Sequence, residues 1–169
     1  MKITLKDGTI KEYGSAMSVI DIARDISEGL ARVATAGEVN GKVVDLRTVI
    51  SDDCNLNILT FDDDAGKGAF RHTSAHVLAQ AVKRLYPEAK CAIGPFIENG
   101  FYYDFDTEHT FTPEDLEALE KEMKKIAKEN LKIERFELPR AEALELMKDE
   151  PYKVELINDL PEEIGRAHV

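Results

Sequence analysis

The sequence predicts two mixed α+β units in series, and three observations carry that reading. Residues 1–61 hold a hairpin signal, one capped amphipathic segment and three further short extended runs, enough for one sheet wrapped on one helix. Residues 62–68 are an acidic run followed by two glycines, the pattern of a linker. From residue 69 onward, longer stripes at helical spacing alternate with hairpin and strand signals.

In the first unit, Ile3 and Leu5 alternate with polar neighbours, and Asp7-Gly8 supplies a hairpin turn into a strand over 9–13. Ser18 is placed to cap a helix with Val19, Ile22, Ala23 and Ile26 on one face and Gly29 near its end. Extended runs over 33–36 and 38–40 follow, turning at Asn40-Gly41 into 42–44, and residues 56–60 close the unit. This is a ubiquitin-like β-grasp pattern, and none of its residues has a catalytic look.

The second unit is read as opening on a helix over 69–86, stopped by Pro87, with Val77, Leu78, Ala81, Val82 and Leu85 as its apolar stripe. Asn99-Gly100 marks a hairpin, and residues 101–106 read as a strand with Phe101, Tyr103 and Phe105 on one face. Thr112-Pro113-Glu114-Asp115 is a helix start, with Leu116, Leu119, Met123, Ile126 and Ala127 expected on the buried face. A strand over 133–138, a short helix over 140–148 and a strand over 152–157 complete an antiparallel or mixed α+β domain.

Composition narrows the function classes. The net charge of −11 is carried by both units: residues 1–61 hold seven Lys/Arg against nine Asp/Glu, residues 62–169 fifteen against twenty-four. Such a surface repels phosphate backbones at long range, which excludes a general nucleic-acid binder. The N-terminus lacks the apolar core of a signal peptide and no stretch could span a membrane, so a cytoplasmic protein is expected. Cys54 and Cys91 have no metal-type spacing and read as reduced, buried thiols.

The chemistry concentrates in His72 and His76. Four residues apart on one helix face, both imidazoles can reach one object, for proton transfer, metal ligation or holding a polar ligand. The residue after His72 is Thr73, not the glutamate of a zinc-protease helix, and no third or fourth ligand follows, so no metal site is expected. Taken alone, Tyr103 reads equally as core, Lys153 as a solvent-facing lysine and His109 as a bland loop residue.

Two resemblances sharpen this. "KDGTIKEY", "MSVIDIARDIS", "EVNGKVVDL" and "LNILTFDD" resemble the TGS domain, found in threonyl-tRNA synthetases, some GTPases and stringent-response enzymes. "RHTSAHVLAQAVKRLYP" followed by "AIGPFIENGFYYDFD" resembles the opening of the editing domain of threonyl-tRNA synthetases, over residues 69–163. The resemblance implies a class II aminoacyl-tRNA synthetase, threonine–tRNA ligase, whose editing domain hydrolyses mischarged seryl-tRNA. It places His72 and His76 at the ester end of the tRNA, Tyr103 in the pocket wall, and Lys153 in "PYKVEL" as a cation that polarises the ester or holds the substrate. It also implies ATP, Mg and a catalytic-domain zinc, threonine tRNA as partner, and a homodimer. Those cofactors and the dimerisation region belong to parts outside this chain.

The family's second editing motif, Cys-x-x-x-His with a nearby aspartate, is not present. Residues 164–169, Ile-Gly-Arg-Ala-His-Val, depart from the family pattern and match one reading frame of a sequencing-adapter sequence. They are read as a non-native tail, with His168 excluded from the site. The expectation is an incomplete editing domain with little or no deacylase activity by itself. The alternatives are a stand-alone TGS-containing regulatory or RNA-binding module, which would have no use for the histidine helix, and a free-standing trans-editing deacylase, which would need the second motif.

Overall fold

The computed structural model describes residues 1–131, 133, 134, 136–161 and 166–168. The chain divides into two compact units, Met1–Thr73 and Ser74–Val169.

The first unit is built on a hairpin of β1 (Lys2–Leu5) and β2 (Ile10–Glu12), with Ile3 opposite Lys11. A two-residue strand β3 (Met17–Ser18) leads into α1 (Val19–Ile26), capped by the Ser18 hydroxyl, which accepts from the Asp21 amide. Ser27 then ends one helix and caps the next, accepting from the Leu30 amide at 3.0 Å to begin α2 (Glu28–Val33). Gly29 therefore sits inside a second helix, and Val33, expected in a strand, closes that helix.

Strand β4 (Ala34–Val39) turns through Asn40 and Gly41, φ 49° and 82°, into β5 (Lys42–Val44). Both turn residues are left-handed, as a two-residue hairpin requires. After β6 (Val49–Ile50), which pairs with β3, the strand β7 (Cys54–Thr60) enters the middle of the sheet. The order is β2-β1-β7-β4-β5, parallel between β1 and β7 and antiparallel elsewhere. Ile3, Val19, Ile22, Ile50 and Leu56 fill the space between helix and sheet. Each such burial contributes roughly 1.5–3 kcal/mol, which is what fixes the register. Lys11 and Tyr13 both bond the Asp25 carboxylate, at 2.6 and 2.9 Å, tying the β2 edge to α1.

The expected linker is not one. α3 runs from Asp64 to Leu85, so most of residues 62–68 is helix. Gly66 is a packing glycine: a Cβ there would lie 2.0 Å from the Thr60 carbonyl oxygen. A sequence reader sees only an acidic, glycine-containing stretch, because the reason for the glycine lies in the end of β7.

In the second unit the C-terminal half of α3 packs Ala81 and Val82 with Ala89 and with Leu119 and Ile126 of α4 (Pro113–Glu129). Between the helices an irregular hairpin carries β8 (Lys90–Cys91), β9 (Phe96–Ile97), β10 (Gly100–Phe101) and β11 (Phe105–Asp106). The strand expected over 101–106 is thus two short strands, joined by bonds from the Ala92 amide to the Asp104 carbonyl (3.0 Å) and from the Asp104 amide to the Ile93 carbonyl (2.8 Å). Its alternation survives, with Phe101, Tyr103 and Phe105 half-buried and their neighbours exposed.

α4 begins at the expected capping box, Thr112 with Asp115. Its buried face is narrower than expected: Leu116 is 61% exposed and Ala127 is exposed, leaving Leu119 and Ile126 in the core. Leu85, expected in the α3 stripe, is also exposed. Strand β12 (Glu137–Pro139) covers only the end of the expected 133–138, within which residue 135 lies outside the described residues. It leads into α5 (Arg140–Leu146).

Residues 152–157 form a helix, not a strand: α6 is Pro151–Asn158. Pro151 sits in its first turn, where its missing N–H costs nothing, and Ile157 meets Ala143 in a small core. The strand expected over 152–157 was outweighed by this packing and by the proline start. The backbone of β13 (Arg166–His168) pairs with β12.

Candidate functional site

The histidines come first in the chain. His72 and His76 occupy successive turns of α3, and both are exposed. The run 71–76 is helical because Ala69, Ala75 and Ala79 supply helix-forming positions and Thr73, β-branched, satisfies its hydroxyl on the Ala69 carbonyl at 3.1 Å. Ala75 and Ala79, three residues beyond His72 and His76, are buried, while both imidazoles stay exposed beside them.

Tyr103 and Lys153, fifty residues apart, are brought together in the second unit. The Lys153 Nζ donates to the Ala92 carbonyl at 2.9 Å and lies 6.0 Å from the centre of the Tyr103 ring. Tyr103 stacks on Phe105 at 4.8 Å between centroids. Its other flank is closed by Gly94, where a Cβ would lie 2.1 Å from the ring. The two partners of this side chain, a carbonyl and an aromatic face, are both neutral. The side chain sits one turn into α6, where Pro151 and Glu150 start the helix and aim it at β8.

Burial raises the Tyr103 pKa to about 12, helped by the Cys91 thiol and the Glu150 charge. The phenol therefore stays protonated at neutral pH and acts as wall or donor, not as base. Burial also pushes the Cys91 thiol up, with Glu150 adding to the effect, so Cys91 is not an activated nucleophile. For Glu150 burial raises the pKa, but the bonds from Lys83 and the Cys91 amide outweigh it and leave the carboxyl below its ordinary value.

Sequence reasoning missed this supporting layer. Glu150 accepts from Lys83 at 2.7 Å and from the Cys91 amide at 3.1 Å, and nothing in the run around it marks it as more than a charged loop residue. The Glu150-Pro151 step as a helix start was the signal available. His109, read as bland, has a structural partner set. Its ring stacks on Tyr86 at 4.7 Å and its Nε2 lies 2.9 Å from the Asp115 carboxylate that closes the α4 capping box. A cleft of about 750 Å³ beside Tyr86, Lys90, Asp106 and His109 is lined by none of the four candidate residues.

Among the described residues no group of three or more His, Cys, Asp or Glu is gathered to hold a metal, and no helix is long and apolar enough to cross a membrane.

The TGS domain family model matches residues 1–60. A threonine–tRNA ligase of Clostridioides difficile (strain 630) is 68% identical over 164 residues, which is 96% of this chain and 26% of that protein. The threonine–tRNA ligase of Acetivibrio thermocellus is 63% identical over 164 residues, with the same coverage. That of Clostridium perfringens (strain SM101) is 65% identical over 162 residues, 25% of its length. The chain spans about a quarter of the length of the curated relatives it matches.

Proposed function

Because this chain carries a TGS domain at residues 1–60 and corresponds in sequence to about a quarter of a threonine–tRNA ligase, we propose that it is the N-terminal region of such an enzyme and that its second unit serves hydrolytic editing of seryl-tRNA. The whole enzyme joins threonine to its tRNA using ATP. Serine lacks only a methyl group, and a pocket discriminates one such group by about 1–3 kcal/mol. A second site that cleaves the wrong ester supplies the remaining selectivity.

The observation that carries the reading is the meeting of Lys153 with Tyr103 at the Ala92 carbonyl. In ester hydrolysis, water adds to the seryl carbonyl, the bond to the ribose oxygen breaks, and the proton from water ends on the ribose hydroxyl as serine leaves. The carbonyl oxygen gains negative charge in between. Lys153 is the cation for that oxygen. Tyr103 shapes the wall beneath it. His72 and His76 are the groups for the ribose end and for ordering the attacking water.

The test is an NMR titration of the 169-residue chain with a non-hydrolysable mimic, adenosine carrying serine through a 3′-amide. Shifts centred on Ala92, Tyr103 and Lys153, weakened in Lys153→Ala and His76→Ala, are expected. Binding confined to residues 1–60, or unchanged in both variants, would refute the assignment.

A further inference from the structure

Glu150 stands immediately before α6 and is attached at every polar group. Its amide donates to the Met147 carbonyl at 2.8 Å, and its carbonyl accepts from the amides of Lys153 (2.9 Å) and Val154 (3.1 Å), which opens the helix. Its carboxylate turns back toward β8. One oxygen accepts from the Lys83 ammonium at 2.7 Å and the other from the Cys91 amide at 3.1 Å.

Lys83 is fully engaged in turn. Besides Glu150 it donates to the Pro87 carbonyl at 3.2 Å and the Ala89 carbonyl at 3.1 Å, three acceptors for the three donors of an ammonium. An exposed ion pair contributes little, but this one has side-chain exposures of only 33% and 21% and is hydrogen-bonded beyond itself.

Residues 91 and 92 thus receive two side chains from the start of α6. Glu150 takes the Cys91 amide, and Lys153 gives its ammonium to the Ala92 carbonyl. Tyr152, between them, donates to the Asp106 carboxylate at 3.0 Å on the paired strand β11. Across this joint Lys153 meets the Ala92 carbonyl and the Tyr103 ring, with the Cys91 thiol and the already occupied Glu150 close by.

We propose that Glu150, held by Lys83 and the Cys91 amide, is a positioning residue that sets Lys153 at the Ala92 carbonyl and over the Tyr103 ring. The charge of Glu150 is spent on Lys83 and one amide, which leaves the Lys153 ammonium on neutral partners and able to meet an anionic oxygen. Its value to editing rests on the reading of Lys153 above; the positioning itself does not.

The experiment follows the two Lys153 Hε protons in the lysine-labelled 169-residue chain, assigned with Lys153→Arg. A fixed side chain gives them distinct shifts, and a mobile one merges them. Distinct shifts in the native chain should merge in Glu150→Gln and in Lys83→Met, yet persist in Glu155→Gln, an exposed charge removed from the same helix. Should the Glu150 variant unfold, the Lys83 variant, which keeps the carboxylate and its Cys91 bond, carries the test. Retention of distinct shifts in a folded Lys83 or Glu150 variant overturns the proposal.

The serine–adenosine amide separates the two ideas. Affinity is expected to fall about tenfold in both variants, the change produced by one displaced charge-assisted contact. Merged shifts with unchanged affinity in Lys153→Ala would leave the positioning in place and remove the editing assignment. Weakened binding in Lys153→Ala with distinct shifts in Glu150→Gln would do the reverse.

Discussion

Gly66→Ala distinguishes a linker from a packed helix start by the sign of its effect. If residues 62–68 were a loose connection, alanine would be neutral or would stabilise by about 0.4–1 kcal/mol by restricting the unfolded chain. In the structure the new Cβ falls 2.0 Å from the Thr60 carbonyl oxygen and 2.8 Å from both the Thr60 carbonyl carbon and the Thr35 hydroxyl oxygen. Two of those atoms are backbone and cannot rotate away. Relief means moving α3 off the end of β7, where the Asp63 amide bonds the Thr60 carbonyl at 3.2 Å and the Thr60 amide bonds the Asp63 carboxylate at 2.9 Å. Overpacking costs about 1–3 kcal/mol, and each lost hydrogen bond about 0.5–1.5. Against this stands a helix-propensity gain of about 1 kcal/mol. The net expectation is a destabilisation of about 2 kcal/mol. With a urea slope of about 1 kcal/mol/M for a unit of this size, the midpoint should fall by about 2 M. Urea unfolding of the chain, with hydrogen exchange read on β4 and β7, measures it. Gly29→Ala, whose nearest contact would be an ordinary 3.8 Å, is the control and should lose nothing. A Gly66→Ala chain as stable as the native one would refute the packing argument.

Gly94→Ala puts a Cβ 2.1 Å from the Tyr103 ring and should displace it, destabilising the second unit by about 1–3 kcal/mol and reducing serine–adenosine amide binding with Tyr103→Phe as the comparison. Because the Tyr103 pKa is raised by burial from 10 to about 12, its contribution is complete below pH 10 and is lost as pH rises toward 12. The stability gap between the native chain and Tyr103→Phe should therefore shift in favour of phenylalanine across that window, and pH-dependent denaturation would show whether it does. The Asp115 carboxyl is held below its ordinary 3.8 by the Tyr86 hydroxyl, then the Thr112 amide and His109. Its contribution is present above that value and disappears as pH falls through its depressed pKa, so Asp115→Asn should lower the melting temperature at pH 7 and the gap should narrow in acid.

Legibility in the sequence followed the range of the forces involved. Asn40-Gly41 and Thr112 through Asp115 were readable because turn and cap chemistry is local. The β-grasp pattern was readable because Ile3, Val19, Ile22 and Leu56 recur at strand and helix periods. Tyr152, Val154 and Leu156 misled because six residues fit a strand and a helix equally well, and the Pro151 start with Ile157 packing on Ala143 decided it. Leu116 misled because a helix stripe has a width that only its neighbour sets.

The sequence by itself determined the two-unit α+β order and the histidine helix, while Tyr103 and Lys153 stood out only through the family resemblance. Hydrophobic period, caps and turns act over a few residues and are written directly in the chain. Only the tertiary structure decided that Gly66 packs against Thr60, that Lys153 reaches Ala92 and Tyr103, and that Glu150 and Lys83 hold the joint. Those contacts join residues six to sixty-seven positions apart, and they depend on steric exclusion and hydrogen-bond direction, which exist only once the chain has folded.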